Sequence, residues 1–568
     1  MAFLDSYPSA TDTMLPDIEK PIPKAAKLIY TAKDVPKWNI ALLLGFQQMM
    51  VGITGLLVMP YLVTSLICAG ADATLIRVQL MSATLITAGV ATLIQTTFGL
   101  RLCVYQGTAF VFLPPLIAFS QLDDFKCTAG PNDHVEPAIY LEKLRLVSGS
   151  LMAASLVMII CGLSGAIGKV SRYIGPVTIT PLLVLLVLRA APVGLEKAEL
   201  HYVSIIQFIT LAIIILFLHE CEVPIPMISE RKLVFVRYRL FGNFPYLIAI
   251  FVCWGFCGLL TITNIEPVEG EARVDKNASL ITLQTAPWIQ LPYPGQFGSP
   301  LFHPGLFAGF FTSCVICMIE SIGSYKIVAV ISQESPPNSS IISRAIIMEG
   351  LGCFFAGWMG VGVGVTTYCE NVAVVQATNI ASRITVQIAG LILISLGVFT
   401  KFAAILSGIP EALIGGLFIM SFSMILGVAF ANLKGICLKN SRNVTIIGVA
   451  VLLGTIIPSY FETHPIKTGH HDIDNLLISL FKINMFIGGL IAFILDNLAP
   501  AATQSERGVH ESGTKQKNSH ESDGYWFPKP VNIFLLNHTW ITKLPFMPSR
   551  HMVKQAVWGK NLNNNQQA

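Results

Sequence analysis

Two carboxylates stand where a carboxylate is costly. Glu320 lies in SCVICMIESIGSY and Glu370 in TTYCENVAVVQATN, each flanked by apolar sequence. On insertion scales an acid at the centre of a bilayer costs about 2.5–3.5 kcal/mol, so each needs a partner or a polar cavity. A carboxylate held in such a place is a strong acceptor for the N–H groups of a bound solute. Asn371, beside Glu370, can both donate and accept and so fix a ligand's orientation. There are plainer alternatives: Glu370 as an acid stabilising a helix N-terminus, and Glu320 as a carboxylate bonded to Ser321 or Ser324. Two such acids in separate segments of one half fit a binding site better than two accidents. Glu349, Glu411 and Asp496 fall near segment ends, where interfacial solvation accounts for them. Gln47-Gln48, midway along the first apolar run, reads as helix–helix hydrogen bonding.

The elements around these residues are membrane helices. Of the 568 residues 53% are hydrophobic and 12% charged, and the mean hydropathy is +0.65. Runs such as IRVQLMSATLITAGVATLIQTTF from Ile76 have the ~20 residues that a bilayer helix needs. A net charge of +4, scattered along the chain, gives no reason to expect a nucleic-acid partner. The polar start, with Lys20, Lys24, Lys27, Lys33 and Lys37, is not a cleavable signal peptide. The 12 Cys lie mostly in apolar runs, and Cys314 and Cys317 have no second pair to complete a zinc site, so they read as packing residues. No Walker loop or catalytic triad is present in the sequence, so no enzyme is expected and no cofactor. Uphill transport would run on an ion gradient.

About fourteen spans are expected in an all-α polytopic protein. Seven lie near 39–60, 76–98, 102–119, 147–167, 173–190, 202–218 and 243–261, and seven near 304–324, 345–363, 366–380, 383–403, 411–430, 442–458 and 481–498. This divides the chain into an N-terminal segment 1–37, a first half 38–261, a loop 262–303, a second half 304–499 and a flexible tail 500–568. Lys169, Arg172, Arg231, Lys232, Arg237, Arg239, Lys434, Lys439 and Arg442 fall in alternate loops. That places them and both termini in the cytoplasm. The acidic loops, with Asp123, Asp124, Asp133 and Glu136, then Glu266, Glu269, Glu271 and Asp275, come out exterior. The second also carries the glycosylation sequon at Asn277. His470-His471, in a further exterior loop, read as solvated. The third span opens VYQGTAFVF and the tenth GVTTYCENV, both short and rich in small residues. Paired interrupted spans point to an inverted-repeat transporter with a site at midplane.

These residues carry a resemblance. QTTFGLRLCVYQGTAF, SRYIGPVTITP, APWIQLPYPGQFG, IESIGSY, TKFAAILSGIP, SRNVTIIG and FILDN with SERGV resemble the nucleobase–ascorbate transporter family, over roughly residues 38 to 508. The animal branch with the sodium-dependent vitamin C transporters is most similar. The family signature stands here as Glu370-Asn371-Val372-Ala373, VVQA, Thr378-Asn379, with Ala373 in place of Gly and Asn379 in place of a basic residue. The resemblance implies fourteen spans in two inverted sevens, a core and a gate domain that rock against each other, and a homodimer in the plasma membrane. It implies that Glu320 and Glu370 bind substrate with Asn371, Ala109 and Cys369 around them, and that Phe110 packs on the substrate ring. Gln48 stands where the family has His, and Ser324 where it has Asp or a bacterial His; with Thr366 and Thr367 these are the candidates for coupling to Na+ or H+.

Three functions follow as expectations. A nucleobase symporter suits ionised acceptors, because uracil and oxopurines are neutral and rich in N–H donors. A sodium-dependent ascorbate transporter suits the overall similarity, although Glu370 would repel an anion and similar ascorbate members carry Pro there. A sensor or scaffold without transport is the third, set against the retention of two costly acids.

Overall fold

The computed structural model describes residues 28–558 except 123–124, 128–132, 230–231, 268–269, 434–435, 465–473, 475–476, 478–479, 501, 505 and 509–522. Lys20, Lys24, Lys27, Asp123, Asp124, Arg231, Glu269, Lys434 and His470-His471 lie outside the described residues. The first half contains α1 (Trp38–Leu66), α2 (Ala73–Thr97), β1 (Gln106–Thr108), α3 (Leu113–Ser120), α4 (Pro137–Leu163), α5 (Ala166–Val170), α6 (Pro176–Glu199) and α7 (Val203–Leu216). It continues with β2 (Val223–Ser229), β3 (Lys232–Tyr238), α8 (Leu240–Asn243) and α9 (Pro245–Ile262). After α10 (Asn277–Thr285) the second half holds α11 (Pro304–Ile331), α12 (Ser339–Met359), β4 (Val365–Thr367), α13 (Cys369–Thr378), α14 (Arg383–Val398) and α15 (Thr400–Ser407). Then come α16 (Glu411–Asn432), α17 (Ser441–Thr463) and a helix over Asn484–Leu498.

Local sequence sets the helix ends. Proline opens α4, α6, α9 and α11, where its missing N–H costs nothing. The Asn338 side chain caps α12 by accepting from the Ile341 N–H at 3.0 Å. Asn379, left-handed at φ 55°, ends α13.

Each expected span coincides with a helix or a strand–helix unit, but not all are full crossings by length and composition. Among the described residues nine helices are long and apolar enough to span a membrane, or ten if α14 and α15, bent by 85°, count as one. The segments Phe110–Ser120, Val203–Leu216 and Asn484–Leu498 are shorter apolar helices. The helices pack in two groups. In one, α4 lies against α12 and α11, and α2 against α14, α12 and α1. In the other, α6 and α7 lie against α16, and α17 against Asn484–Leu498. Small residues bring α2 and α14 together: a Cβ on Gly89 would stand 2.5 Å from the Gly390 carbonyl.

Two parts differ from expectation. Val223–Ser229 and Lys232–Tyr238, in a stretch expected to be a loop, pair as antiparallel strands. The tail, read as flexible, forms helices over Lys529–Asn537 and Arg550–Trp558, with Phe527, Leu535 and Val553 buried in a small core of their own. Its polar composition hid these scattered apolar anchors.

Candidate functional site

The two interrupted segments meet. β1 and β4 run antiparallel with Gln106 opposite Thr367, Gly107 opposite Thr366 and Thr108 opposite Val365. Each strand then turns into a half-helix, at Phe110 after β1 and at Cys369 after β4. The backbone here is satisfied by protein: the Ala109 N–H donates to the Gly364 carbonyl at 2.9 Å and the Tyr368 N–H to the Tyr105 carbonyl at 3.0 Å. Tyr368 lies across the pair and its hydroxyl donates to the Thr108 carbonyl at 3.0 Å. Gly107 is required there, since a Cβ would stand 2.3 Å from the Tyr368 ring.

Beside the strands is a cavity of about 40 Å³, room for only a few waters. One wall is polar and comes from β1, β4, α11 and α13: Thr108, Glu320, Thr366, Thr367, Cys369 and Glu370. The opposite wall is apolar and comes from the second group: Leu183 and Leu186 of α6, Ile425 and Val428 of α16. Phe110 lines the cavity with its ring against Phe422 and Phe418 at 5.4 and 5.8 Å between centroids. Glu320 Oε2 is buried without a hydrogen-bond partner. An acceptor in that position awaits a donor.

Glu320, Glu370, Phe110, Cys369, Thr366 and Thr367 therefore lie around one cavity. The other candidates do not line it. Ala109 has committed its N–H to Gly364. Asn371, 2% exposed, turns toward α1 and donates to the backbone oxygen and Oε1 of Gln48 at 2.7 and 2.8 Å. Gln48 thus ties α13 to α1, the helix–helix bond its position suggests. Ser324 sits one layer behind, within 3.3 Å of the Glu320 carbonyl and of Cys369 Sγ. Thr367 accepts from Gln106 Nε2 at 2.8 Å. Asn277 is exposed at the start of α10.

A third acid belongs to this region, although its place near an expected segment end gives no sign of it. Glu349 is not interfacial: it is 1% exposed and accepts from Ser321 at 2.5 Å, from the Cys317 thiol at 3.1 Å and from the Tyr325 hydroxyl. Ser321, the residue after Glu320, in turn meets Thr366 of the cavity lining at 3.2 Å. Asp496 is fully buried too, paired with Arg442 at 3.2 Å and Arg507 at 3.0 Å. Glu411 is paired with Arg77 at 2.5 Å.

A contracted polar cavity between two groups of apolar helices, floored by broken spans, is the construction of a multi-pass membrane transporter rather than an enzyme. A family model described as "Permease family" matches residues 39–463. The chain is 33% identical to mouse "Solute carrier family 23 member 2" over 95% of its own length and 86% of that protein. It is 33% identical to rat "Solute carrier family 23 member 1", covering 88% of this chain and 85% of that one. To the Arabidopsis thaliana "Nucleobase-ascorbate transporter 5" it is 28% identical, over 92% and 94% of the two chains. The chain belongs to the nucleobase–ascorbate transporter family.

Proposed function

We propose that the protein is a cation-coupled symporter that carries a nucleobase, such as uracil or an oxopurine, by alternating access. The observation that supports it best is that Glu320, whose Oε2 is buried without a partner, lines the same cavity as Glu370. Two carboxylates without a cation among the cavity residues suit a neutral solute with several N–H donors. Phe110 offers that solute a ring face once the gate aromatics Phe418 and Phe422 withdraw. In this reading the fourteen segments form two inverted sevens. The group bearing the broken spans is the core, and the group bearing α6, α7, α16 and α17 is the gate. Because the polar contacts come from the core and the gate is greasy, the substrate travels with the core. The protein works as a homodimer in the plasma membrane with both termini cytoplasmic. Na+ or H+ drives it, with Ser324, Thr366 and Thr367 close enough to the acids to take part.

A second reading, sodium-dependent ascorbate transport, is favoured by the 33% identity to solute carrier family 23 members. It requires that a bound cation or proton neutralise Glu370. Uptake of radiolabelled uracil, hypoxanthine and ascorbate, with and without sodium, decides between the two. Saturable uptake of a base, competed by excess cold base, is expected. Glu320→Gln and Glu370→Gln should each weaken it about 5- to 150-fold at unchanged surface amount, the cost of a misdirected buried contact. Saturable ascorbate uptake that no base inhibits would overturn the nucleobase reading.

A further inference from the structure

A second, larger cavity shares no lining residue with the one at the broken spans and lies where the tail docks on the start of α12. Its volume is about 220 Å³, against about 40 Å³ at the substrate site. The body contributes Ile341 and Arg344, and the tail contributes Tyr525, Trp526, Phe527 and Met552. Two of the amides on its edge, Asn338 and Asn532, are occupied in building the wall. Asn338 caps α12, and Asn532 donates to the Phe527 carbonyl at 2.7 Å.

Arg344 is different. It is 3% exposed, with Nε donating to the Gly99 carbonyl at 2.8 Å and Nη2 to the Tyr525 carbonyl at 3.3 Å. Among the described residues Nη1 makes no such bond, and the residue lines the cavity. Its guanidinium stands 4.4 Å over the Phe527 ring, and that of Arg101 stands 5.5 Å from the same ring. Arg383 adjoins them, donating to the carbonyls of Arg101 at 3.3 Å and Gly524 at 3.2 Å. Arg101 Nε is buried without a partner. Among the described residues Glu334, beside Gly524, is an acid that acts on Arg383. Arg101 and Arg344 are met by backbone carbonyls. Burial, then the charges of Arg383 and Arg344, pull Arg101 down to about 9.

We propose that this cavity is a binding site for a small organic anion, a single flat ring bearing a phosphate or carboxylate. The ring would lie among Tyr525, Trp526 and Phe527 and the anionic head on Arg344. The ring wall gives apolar contact area, and the guanidinium gives the charge-assisted bonds that fix orientation. A neutral occupant would leave the arginine repulsion as it stands. An inorganic anion would leave the aromatic wall unfilled. The ligand would touch tail and body together, so occupancy stabilises their docking.

The test uses the purified full-length chain in detergent, titrated with phenyl phosphate. Tryptophan fluorescence should change saturably and the thermal midpoint should rise. Phenol should do neither, and inorganic phosphate should bind at least about tenfold more weakly. Trp526→Phe should remove the fluorescence change and keep the thermal shift. Arg344→Gln should remove both. If that variant does not fold, Met552→Trp, which fills the cavity and spares the arginines, should also remove binding. Glu370→Gln should bind phenyl phosphate like the wild type, which separates this site from the transport site. An equal response to phenol, binding that survives Met552→Trp, or loss in Glu370→Gln would each overturn the proposal.

Discussion

Glu349 stands one layer below the cavity at the broken spans, the proposed substrate site, with three donors directed at it, from Ser321, Cys317 and Tyr325. Tyr325 in turn accepts from Gln95 Nε2 at 2.7 Å, so the acid anchors a chain of bonds between α2, α11 and α12. Glu349→Gln replaces an acceptor-only group by one that also donates, so at least one of these donors faces another donor. A loss of about 1–3 kcal/mol is expected. It should appear as a lower thermal midpoint of the purified protein and reduced surface amount, and an unchanged midpoint would remove Glu349 from the support of the site. Glu320 and Glu370 are legible in the sequence because apolar residues surround them on both sides. Glu349 is not, because the apolar signal of its segment begins near 345 while α12 begins at Ser339. That shift turns an apparent end position into a buried one. Asp496 escaped for another reason: one of its partners, Arg507, lies beyond the last apolar run, and no local pattern announces the pairing.

At the scale of elements, the broken spans are the part that sequence reveals best. Short segments rich in Gly and Thr cannot make full helices, and VYQGTAFVF and GVTTYCENV are strands followed by half-helices. Their register, and the seat of Tyr368 across both, depend on tertiary contact and leave no trace in either segment alone. Gly107→Ala places a methyl group against the Tyr368 ring, with overpacking worth about 1–3 kcal/mol. Uptake should fall steeply while surface biotinylation stays within about twofold, because the strain is local to the strand pair. Normal uptake would mean that Tyr368 yields freely. Asn371→Ala removes both bonds that hold α13 to Gln48. Its effect should fall on the maximal rate and on the thermal midpoint more than on apparent substrate affinity, since Asn371 does not line the cavity. A selective loss of affinity would instead put Asn371 in contact with substrate.

At the scale of the whole molecule, a cavity of about 40 Å³ cannot admit a heterocycle until the two groups of helices part. The contacts that hold them are polar at both ends. On the side of the Cys68–Cys127 disulfide, proposed to be exterior, Arg77 of α2 pairs with Glu411 of α16 at 2.5 Å. Lys197 of α6 approaches the same carboxylate at 3.9 Å. Arg77 lies 3.9 Å over the Tyr61 ring, whose hydroxyl donates to the Leu406 and Ile409 carbonyls at 2.9 and 3.0 Å. At the opposite end Lys326 of α11 donates to the Ser171 and Ile174 carbonyls, which lead into α6. Opening toward the exterior must break the Arg77 pair, whereas opening toward the cytoplasm can keep it. Glu411→Gln should therefore shift the population toward the exterior-open form by about 1–3 kcal/mol, or roughly 5- to 150-fold. Cys369, on the cavity wall, reports the change: a membrane-impermeant maleimide added outside should label it faster in Glu411→Gln than in the wild type. Cys369→Ser should abolish that label, and the exchanged pair Arg77→Glu with Glu411→Arg should return the rate toward the wild-type value. Labelling indifferent to Glu411 would show that the ion pair stands outside the gate and that apolar contacts between α1 and α16 hold the exterior side shut.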